Sequence, residues 1–503
     1  MTTMIDPLRR AVQVGGRRTA VRCGGVELTY EATWDRCRRL VGALGRAGLE
    51  PGDRVAVVGA NCHRYLEIYQ SVPGAGMVLV PLNQRHTSDE LAYALEDSGA
   101  KLVFAGDGAD LPQDITATVV DMGDGYERLL AAAPEGAFPD AVGESTLAGL
   151  FYTGGTTGAS KGVMLTHRNL VANALHFQVA WRFGPETCWL IAAPLFHLAG
   201  SIAVLSTVWN GGRQIVLPAF EPAAALDLVE RERVTATLVV PTMLAALTDE
   251  QLARPRDTSS LALISHGGAP AATQTLRRAH EAFPTAELMH IYGATETAPI
   301  ATVLPHEERV LEAPQARSCG LPAVGVEVAV TDADGAPVAT GTVGEVVVRG
   351  PNVMAGYWAK PEETAAAMTG GWYRTGDLGY FDEHAHLYLV DRAKDMIVTG
   401  GENVYSTEVE DVLFRHDAVL EAAVFGVPDE RWGEAVHAVV VLRSEASEED
   451  LLQHCRAAIA PYKVPKRVEL RAAPLPKSGA GKVLKRELRA PYWAGRETQV
   501  AGA

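Results

Sequence analysis

The amino-acid sequence predicts an α/β protein with two or more domains. Its 503 residues exceed what a single hydrophobic core usually organises. Over about the first 320 residues, apolar runs typical of buried strands alternate with amphipathic helical stretches, which favours sheets covered by crossover helices. Hydrophobic residues make up 47% of the chain and charged residues 21%, as in a globular protein.

The predicted strands of this first part are short and apolar, and several are followed by helices. Residues 54–60 (RVAVVGA), 102–106 (LVFAG), 235–240 (TATLVV) and 261–265 (LALIS) fit buried strands. A helical pattern begins at Pro241, and another runs from about Ala271 to Phe283.

Beyond about residue 320 the pattern changes to shorter, alternating strands with turn signals. Asp334 and Gly335 predict a hairpin turn, which favours a small β-rich subdomain. After Arg392, two strand-like runs (422–427 and 437–442) and a helical stretch (447–460) are enough for a small α+β domain.

Charge, cysteine content and hydropathy exclude several classes of protein. The net charge is -16 and no long Lys/Arg run is present, so nucleic acid is not an expected partner. The six cysteines form no CxxC pair and fit reduced thiols that pack in a core. Residues 190–209 are long enough to span a bilayer, but Pro194 and Gly200 interrupt them, so we expect a buried strand and helix and no membrane span. With no signal-peptide core or lipidation motif, the expected location is the cytoplasm.

One glycine-rich stretch, YTGGTTGASKGVMLTH at residues 152–167, has the composition of a phosphate-binding loop. Ser160 precedes Lys161 and Gly162 follows it, so the stretch does not match the GxxxxGK[ST] loop of nucleoside-triphosphate hydrolases. Glycines still allow close backbone approach, and hydroxyl and N–H groups donate to phosphate oxygens. Taken alone, the stretch fits a phosphate loop or a flexible surface loop equally well.

Further polar motifs follow in a fixed order, and we expect them in loops at the carboxyl ends of strands, where α/β folds bind ligands. They are HGGAP (266–270), IYGATE (291–296), YRTGDLG (373–379), DRAKD (391–395), GGENVYSTEVE (400–410) and PKSGAGK (476–482).

These motifs, in this order, resemble those of the adenylate-forming superfamily of acyl-CoA synthetases, luciferases and nonribosomal-peptide adenylation domains. YTGGTTGASKG is similar to that superfamily's YTSGTTGxPKG loop, YGATE to its YGxTE, and TGDLG to its TGD. DRAKDMIVTGGENVYSTEVE resembles its hinge and acceptor loop, and PKSGAGKVLKREL its terminal lysine motif. The resemblance covers nearly the whole chain.

The resemblance implies both a fold and a reaction. The implied fold is a large N-terminal AMP-binding domain (1–391) of two doubly wound sheets plus a β-barrel-like subdomain, a hinge (392–394) and a small mobile α+β C-terminal domain (395–503). The implied enzyme is an acid–thiol ligase. With ATP and Mg²⁺ it converts a carboxylic acid to an acyl-adenylate and pyrophosphate; the thiol of coenzyme A then displaces AMP.

The resemblance also implies roles for particular residues. Lys482 would supply a cation at the α-phosphorus, Thr295 would donate to the α-phosphate, and Glu296 would hold Mg²⁺. Lys394 would be the hinge, and His197 and Gly268 would line the acyl pocket. The implied CoA-binding residues are Gly400, Gly401 and Glu402. The implied ATP- and AMP-binding residues are Thr153, Gly154, Gly155, Thr156, Thr157, Gly158, Lys161, Gly267, Gly268, Ala269, Tyr292, Gly293, Ala294, Asp377 and Arg392.

Three positions depart from the superfamily pattern. Gly154 stands where Ser is usual, Ser160 where Pro is usual, and Ser406 where Pro is common. Gly154 removes one hydroxyl donor but keeps the backbone N–H, so we expect weaker ATP binding or a more mobile loop, with activity retained.

The acyl substrate is the least defined part of the sequence prediction. No Asp accompanies His197 in PLFHLAG to neutralise an amino-acid ammonium, and the apolar neighbours Leu195, Ile202 and Leu205 favour an aliphatic or aryl tail. We expect a medium- or long-chain fatty acid; an aryl or sterol-derived acid is the alternative. Two other functions stay open, an acyl-AMP ligase that loads a carrier protein and a nucleotide-binding regulator without catalysis. A homodimer is also left open.

Overall fold

Strands and helices alternate along the parts of the chain that the computed structural model describes, which are residues 2–153, 160–269, 271, 273–306, 311–477 and 483–494. The helices are α1 (Asp6–Gly15), α2 (Tyr30–Arg46), α3 (His63–Gly74), α4 (Ser88–Ser98), α5 (Asp124–Ala132), α6 (His167–Ala180), α7 (Leu198–Ser201), α8 (Val204–Trp209), α9 (Pro222–Glu232), α10 (Pro241–Ala253), α11 (Thr273–Ala282), α12 (Pro361–Ala367), α13 (Ser406–Phe414), α14 (Glu448–Ala458) and α15 (Lys485–Trp493).

The strands are β1 (Thr19–Cys23), β2 (Val26–Thr29), β3 (Arg54–Val58), β4 (Val78–Leu82), β5 (Leu102–Ala105), β6 (Thr118–Asp121), β7 (Leu147–Thr153), β8 (Lys161–Thr166), β9 (Cys188–Ile191), β10 (Arg213–Val216), β11 (Ala236–Val239), β12 (Leu263–Gly267), β13 (Glu287–Tyr292), β14 (Thr302–His306), β15 (Leu321–Pro322), β16 (Glu327–Thr331), β17 (Gly344–Arg349), β18 (Gly356–Tyr357), β19 (Met368–Thr369), β20 (Trp372–Phe381), β21 (Leu387–Arg392), β22 (Ile397–Thr399), β23 (Glu402–Val404), β24 (Val419–Asp429), β25 (Gly433–Leu442) and β26 (Arg467–Arg471).

The chain divides into two compact units. The first unit comprises Met1–Val328 and Val348–Tyr373, and the second comprises Ala329–Val347 and Arg374–Ala503. This division groups β20 and β21 with the C-terminal residues. The predicted domains (1–391 and 395–503) and the predicted hinge between them (392–394) stay a prediction.

Two sheets with parallel centres form the first unit. One has nine strands in the order β15-β14-β13-β12-β11-β9-β10-β1-β2, and the other has seven in the order β18-β8-β7-β4-β3-β5-β6. In the nine-stranded sheet β11, β12 and β13 run parallel, with Gly267 opposite Ile291. The polar residues that follow β12 and β13 therefore emerge at the same edge of the sheet. The predicted α/β layering is confirmed.

Local sequence explains where these elements begin and end. Every residue of β4 is buried, as expected for a central strand covered on both faces. Thr87 and Glu90 form a reciprocal capping box at the start of α4, and Gly99 ends that helix in the left-handed region with φ of 60°. Thr166 and Asn169 cap α6 in the same reciprocal way.

The predicted elements are found with small shifts. The strand predicted at 54–60 is β3, and the strand predicted at 261–265 begins two residues later, as β12. The apolar segment 190–209 contains the end of β9 followed by α7 and α8. Along the described ranges, every helix falls short of the length and apolar character that a bilayer crossing requires. The cysteines are free, and four of the six are buried.

The second unit holds most of two smaller sheets. In one, strands β16, β17, β20 and β19 follow one another and β21 also pairs with β20; in the other the order is β23-β22-β25-β24, with β26 beside β25. The turn predicted at Asp334–Gly335 is present, since the Gly335 amide donates to the Asp332 carbonyl (3.1 Å). Helices α13 and α14 pack on the last sheet through a core that includes Val409, Val440 and Leu451.

Residues 373–379 differ from the sequence prediction, which placed them in a loop. They lie within β20, where Gly376 has φ of +71° and the pairing with β21 shifts register between Leu378 and Gly379. The glycines that suggested a loop instead mark an irregular point of a strand.

Candidate active site

The glycine-rich stretch connects two paired strands at the edge of the seven-stranded sheet. Strands β7 and β8 are antiparallel, with Thr153 opposite Lys161. Of the predicted phosphate-binding residues, Gly154, Gly155, Thr156, Thr157 and Gly158 lie outside the described residues. The Ser160 hydroxyl donates to the Thr153 carbonyl (2.5 Å), and the Tyr93 hydroxyl donates to the Ser160 carbonyl (3.0 Å). Ser160, a departure from the superfamily pattern, therefore closes the base of the loop.

Lys161 is linked to Glu296 through one tyrosine. The Lys161 ammonium lies 4.9 Å from the centre of the Tyr357 ring, and the Tyr357 hydroxyl donates to Glu296 Oε1 (2.9 Å). Burial, and then the charge of Glu296, raises the pKa of Tyr357, so this phenol keeps its proton and acts as a donor. The cation predicted to hold phosphate and the carboxylate predicted to hold metal thus share a neighbour.

The backbone around Glu296 is fixed by a buried amide. Thr295–Thr297 forms a single 3₁₀ turn, and the fully buried Asn352 donates from Nδ2 to the carbonyls of Thr297 and Ile300, both at 2.7 Å. The Met354 amide donates to the Glu296 carbonyl (2.8 Å). Because these bonds hold both sides of the turn, the Glu296 side chain starts from a rigid backbone.

Glycines allow close approach at the ends of β12 and β13. A Cβ on Gly267 would lie 2.2 Å from the Ile291 carbonyl oxygen, and one on Gly293 would lie 1.9 Å from the Pro299 oxygen. Gly268 is exposed with φ of +80°, and Tyr292 is 9% exposed. Ala269 and Ala294 are half-buried at the same strand ends. The structure thus brings the predicted nucleotide residues of the two motifs to one edge.

Three histidines of β12, β13 and β14 stack on one another, of which His266 and His306 are buried and His290 is half-buried. The ring centres of His266 and His290 are 5.2 Å apart and those of His266 and His306 are 5.4 Å apart, with nearly parallel planes. Burial lowers the pKa of His290 to about 4, so the ring is neutral at pH 7. This cluster was not predicted, because the three residues are distant in sequence and meet only through sheet register.

His197 has the environment expected of a substrate-contacting side chain. Its Nε2 is buried and has no hydrogen-bond partner in the part of the chain that the structure describes. Burial, followed by the nearby His86 and Arg85, lowers the pKa of His197 to about 4. A neutral imidazole with an unsatisfied buried nitrogen is suited to a polar ligand atom.

A narrow cavity lies next to the helix that follows His197. It is lined by apolar and polar groups of the first unit, which are Tyr69, Leu170, Asn173, Leu198, Ser201, Ile202, Leu205 and Ala298. The Tyr69 hydroxyl donates to Ser201 Oγ (3.1 Å), and Asn173 Oδ1 accepts from the Ile300 amide (3.3 Å). Since Ala298 follows Glu296 by two residues, the cavity adjoins both the turn of Glu296 and helix α7, which follows His197.

In the second unit, Asp377 and Arg392 are direct partners. They face each other across β20 and β21, and Arg392 Nε lies 2.8 Å from Asp377 Oδ1. Asp377 is 7% exposed. The two residues predicted to bind the nucleotide sugar are therefore brought together, with the guanidinium orienting the carboxylate.

The predicted acceptor glycines form the tight turn between β22 and β23. Gly400 and Gly401 have φ of +61° and +85°. The Gly400 amide donates to the Trp432 carbonyl (2.8 Å), and a Cβ on Gly400 would lie 2.7 Å from the Trp432 ring. Residues 400–403, including Glu402, are exposed.

Trp432 is a partly exposed aromatic surface with cations beside it. It is 39% exposed, with the Arg431 guanidinium 4.6 Å and the Lys466 ammonium 6.0 Å from its ring. Asp429 Oδ1 accepts from the amides of Arg431 and Trp432, both at 2.9 Å, which fixes the turn. The sequence analysis missed this group.

The predicted hinge and catalytic lysines flank this region in sequence. Lys394 lies in the turn after β21, where the amides of Asp395 and Met396 donate to the Arg392 carbonyl. Lys482 lies outside the described residues. The described residues on either side of it form a bridge between Lys477 and Val483, and the Leu484 amide donates to the Pro476 carbonyl (2.8 Å).

Comparison with known proteins agrees with the motifs and the fold. The AMP-binding enzyme family matches residues 8–358, and the AMP-binding enzyme C-terminal domain matches residues 408–482. A feruloyl-CoA synthase from an Amycolatopsis species is 42% identical over 96% of this chain and 97% of its own. The fatty acid–[acyl-carrier-protein] ligase ScoC from Streptomyces coeruleorubidus is 37% identical over 94% and 93%.

A solved structure extends the likeness to three dimensions. The o-succinylbenzoate-CoA synthetase from Bacillus subtilis, in complex with the acyl-adenylate intermediate OSB-AMP, superposes with a TM-score of 0.87 at 29% identity, covering 100% of both chains.

The chain belongs to the AMP-binding enzyme family, within the adenylate-forming superfamily that its motifs resemble. It is an acid–thiol ligase, an ATP-dependent acyl- or aryl-CoA ligase. The predicted recognition, fold class and enzyme class are confirmed.

Proposed function

We propose that this ligase activates an aromatic carboxylic acid of the hydroxycinnamate type and transfers the acyl group to CoA. The observation that carries this proposal is the whole-chain likeness, at 42% identity, to a feruloyl-CoA synthase. The sequence alone favoured a fatty acid and left an aryl acid as the alternative. The proposal adopts that alternative.

The side chains around the narrow cavity beside α7, rather than its volume, favour an aryl acid. Tyr69, Asn173 and Ser201 bring hydroxyl and amide groups to a wall that is otherwise apolar. Polar groups at fixed positions in an apolar pocket suit an aromatic ring that carries oxygen substituents better than a long alkyl chain. The His197 Nε2 would be placed at the boundary of this pocket to contact the acid.

The first step would form the acyl-adenylate. The acid's carboxylate oxygen attacks the α-phosphorus of ATP, the bond to the β-phosphate oxygen breaks, and acyl-adenylate and pyrophosphate form. Lys161 would hold the departing pyrophosphate, Thr295 would donate to the α-phosphate, and Lys482 would balance the charge that develops at phosphorus.

The site near Glu296 fits Mg²⁺ as a partner of ATP. In the described ranges no group of three or more His, Cys, Asp or Glu could hold a metal, so Glu296 would act with phosphate oxygens and water as co-ligands. Mg²⁺, when bound, neutralises phosphate charge. Tyr357 would orient Glu296 through its 2.9 Å hydrogen bond to Oε1.

Asp377 would bind the ribose, as the superfamily resemblance implies. Two sugar hydroxyls can donate to a single carboxylate, and the ion pair with Arg392 at 2.8 Å orients that carboxylate. The exposed Gly268 and the ring of Tyr292 would flank the adenine.

The second step would take place at the acceptor turn of Gly400 and Gly401. The thiol sulfur of CoA, after loss of its proton, attacks the acyl carbon and AMP leaves. Exposed glycines leave room for the thin pantetheine arm, and Trp432 with Arg431 and Lys466 offers stacking and cations to the phosphates of CoA.

A fatty acid loaded on a carrier protein is the second candidate. The 37% identity to a fatty acid–[acyl-carrier-protein] ligase favours it. A carrier protein delivers the same pantetheine thiol without the nucleotide part of CoA. The cations around Trp432 favour CoA, because they would have no nucleotide phosphates to bind on a carrier.

A panel of carboxylic acids tests both the substrate class and the acceptor. AMP release is measured with hydroxycinnamates, benzoates and C8 to C16 fatty acids, each with CoA, with a phosphopantetheinyl carrier protein, and with neither. The proposal predicts the highest kcat/KM for a hydroxycinnamate and acceleration by CoA. Preference for fatty acids, or acceleration only by the carrier, would overturn it.

A further inference from the structure

Lys485 occupies a buried position three residues after the predicted catalytic lysine. It is the first residue of α15 and lies two residues after Val483, which forms a bridge with Lys477. Its side chain is 18% exposed. A lysine this buried must be paired, so its partners define what it does.

The partners of Lys485 are two groups of α13. The ammonium donates to Ser406 Oγ (2.6 Å) and lies 2.7 Å from Glu410 Oε1. Glu410 Oε1 also accepts from the Val424 amide (2.7 Å), which fixes the carboxylate on β24. The start of α15 is thereby tied to the packed core of the second unit.

Ser406 connects Lys485 to Asp391 through hydrogen bonds. Asp391 accepts from the Ser406 amide at 2.5 Å and from the Ser406 hydroxyl at 3.1 Å. Ser406 is fully buried and Asp391 is 6% exposed. Asp391 belongs to β21 and directly precedes the predicted hinge (392–394), whereas Ser406, Glu410 and Lys485 all follow it. The cluster therefore spans the predicted hinge.

The arrangement of this cluster depends on the positive charge of Lys485. The carboxylates of Asp391 and Glu410, with that of Asp395 further away, act on the Lys485 ammonium, and Ser406 bridges Lys485 to Asp391. Without Lys485, these two buried carboxylates would lose the cation that the described residues place beside them, and each would move toward water or toward another partner. The strand before the predicted hinge would then lose its fixed relation to the start of α15.

We propose that Lys485 is a positioning residue for acyl-adenylate formation: through Ser406, Asp391 and Glu410 it fixes the start of α15, next to the described residue Val483, relative to the strand that precedes the predicted hinge, and so positions the chain that leads to Lys482. This inference rests on the proposed function, in which Lys482 acts in the first step only. It assigns to the Ser at position 406, where the superfamily commonly has Pro, the role of a hydrogen-bonded relay.

The test compares Lys485→Met with Lys485→Arg and with a control on the same helix. Arg489 lies one turn further along α15, is also 18% exposed, and pairs with Glu434 at 2.9 Å outside the cluster. Arg489→Met therefore removes an equally buried ion pair of α15 without touching Asp391 or Ser406. Ser406→Ala, a small change, serves if Lys485→Met fails to fold.

Three quantities are measured for each variant: ATP–pyrophosphate exchange, transfer to CoA from a synthetic acyl-adenylate, and hydrogen exchange of the peptide 474–490. For Lys485→Met we expect exchange kcat to fall on the order of tenfold or more, with KM for ATP and acid nearly unchanged, because misplacing a catalytic group acts on kcat. Transfer to CoA should stay within about threefold, and Lys485→Arg should recover most of the loss.

Hydrogen exchange separates this inference from the proposed function. Faster exchange before α15 in Lys485→Met or Ser406→Ala, but not in Arg489→Met, supports the positioning role even if no acid supports ligase activity in the wild-type protein. Unchanged hydrogen exchange, an equal loss in both half-reactions, or the same kinetic loss in Arg489→Met would overturn it.

Discussion

Each unit contains a buried cluster of charges, and the two clusters differ in balance and placement. In the first unit, Arg36 pairs with Glu67 (2.8 Å) and Glu127 (2.9 Å), and Arg64 pairs with Glu127 (2.7 Å). These two cations and two carboxylates join α2, α3 and α5. In the second unit, Lys485 is the cation between Asp391 and Glu410, and the cluster spans the predicted hinge.

The difference in charge balance and placement indicates a different role for each cluster. A balanced cluster between helices that pack against one another within one unit satisfies its charges in a single arrangement and so contributes to stability. A cluster with an excess carboxylate, built across a point where the chain is expected to move, holds one arrangement more weakly and can be exchanged for another. We therefore assign stability to the first cluster and positioning to the second.

The largest expected effect on stability comes from removing a cation of the first cluster. Arg36→Met leaves the carboxylate of Glu67, which is 1% exposed, without its guanidinium; among the described residues, the Tyr126 hydroxyl (2.7 Å) is the side-chain donor that remains. We expect the free energy of unfolding to fall by about 3 kcal/mol, as when one partner of a buried pair is removed. Urea denaturation measures it.

The matched control is an exposed pair of the same unit. Arg18 lies 2.9 Å from Glu186, with side chains 43% and 91% exposed. Arg18→Met should change the free energy of unfolding by less than about 0.5 kcal/mol. Equal losses for the two variants would contradict the stabilising role of the first cluster.

A smaller effect is expected in the pH dependence of stability: the contributions of Glu127 and Glu410 to the free energy of unfolding should change in opposite directions with pH. Burial alone would raise the pKa of Glu127, but hydrogen bonds from Arg36 and Arg64 outweigh it and lower the pKa to about 2. Its contribution is therefore present above the unfolded pKa and is lost as pH falls toward 2. Burial raises the pKa of Glu410, so its contribution is present at low pH and is lost as pH rises through the folded pKa.

Glu127→Gln and Glu410→Gln should thus show opposite trends against wild type in denaturation curves between pH 3 and pH 7. The deficit of Glu127→Gln should shrink as pH falls; it is limited to about 1 kcal/mol because the side chain is 37% exposed and solvent screens it. The deficit of Glu410→Gln should shrink as pH rises. Trends of the same sign would remove the distinction between the clusters.

The sequence predicted the layers of the fold and the order of the site motifs, because apolar periodicity and glycine-rich loops are local signals. The β12 and β13 strand ends, for example, carry the predicted nucleotide residues at one edge. Sheet order did not follow from local signals, since β18 pairs with β8 from far along the chain. Residues 373–379 were misplaced for the same reason, as their glycines look like a loop until β21 pairs with them.

The side chains that orient the predicted site residues were missed. Tyr357 lies 61 residues from Glu296, and Asn352 lies 55 residues from Thr297. Neither has a motif of its own: an aromatic and an amide in GPNVMAGYW look like ordinary core and turn residues. The Asp391–Ser406–Lys485 contacts likewise depend on how α13 and α15 pack, which a local pattern does not specify.

In the proposed mechanism the two chemical steps use different residues of the second unit, and Lys482→Ala is the variant that separates them. ATP–pyrophosphate exchange and transfer from a synthetic acyl-adenylate to CoA are measured on the same protein. Lys477→Ala, five residues earlier in the chain and paired with Glu421, is the control. We expect Lys482→Ala to lower exchange on the order of a hundredfold or more, because it removes the cation at the developing charge, while transfer stays within a few fold. Near wild-type exchange, or an equal loss in both steps, would contradict it.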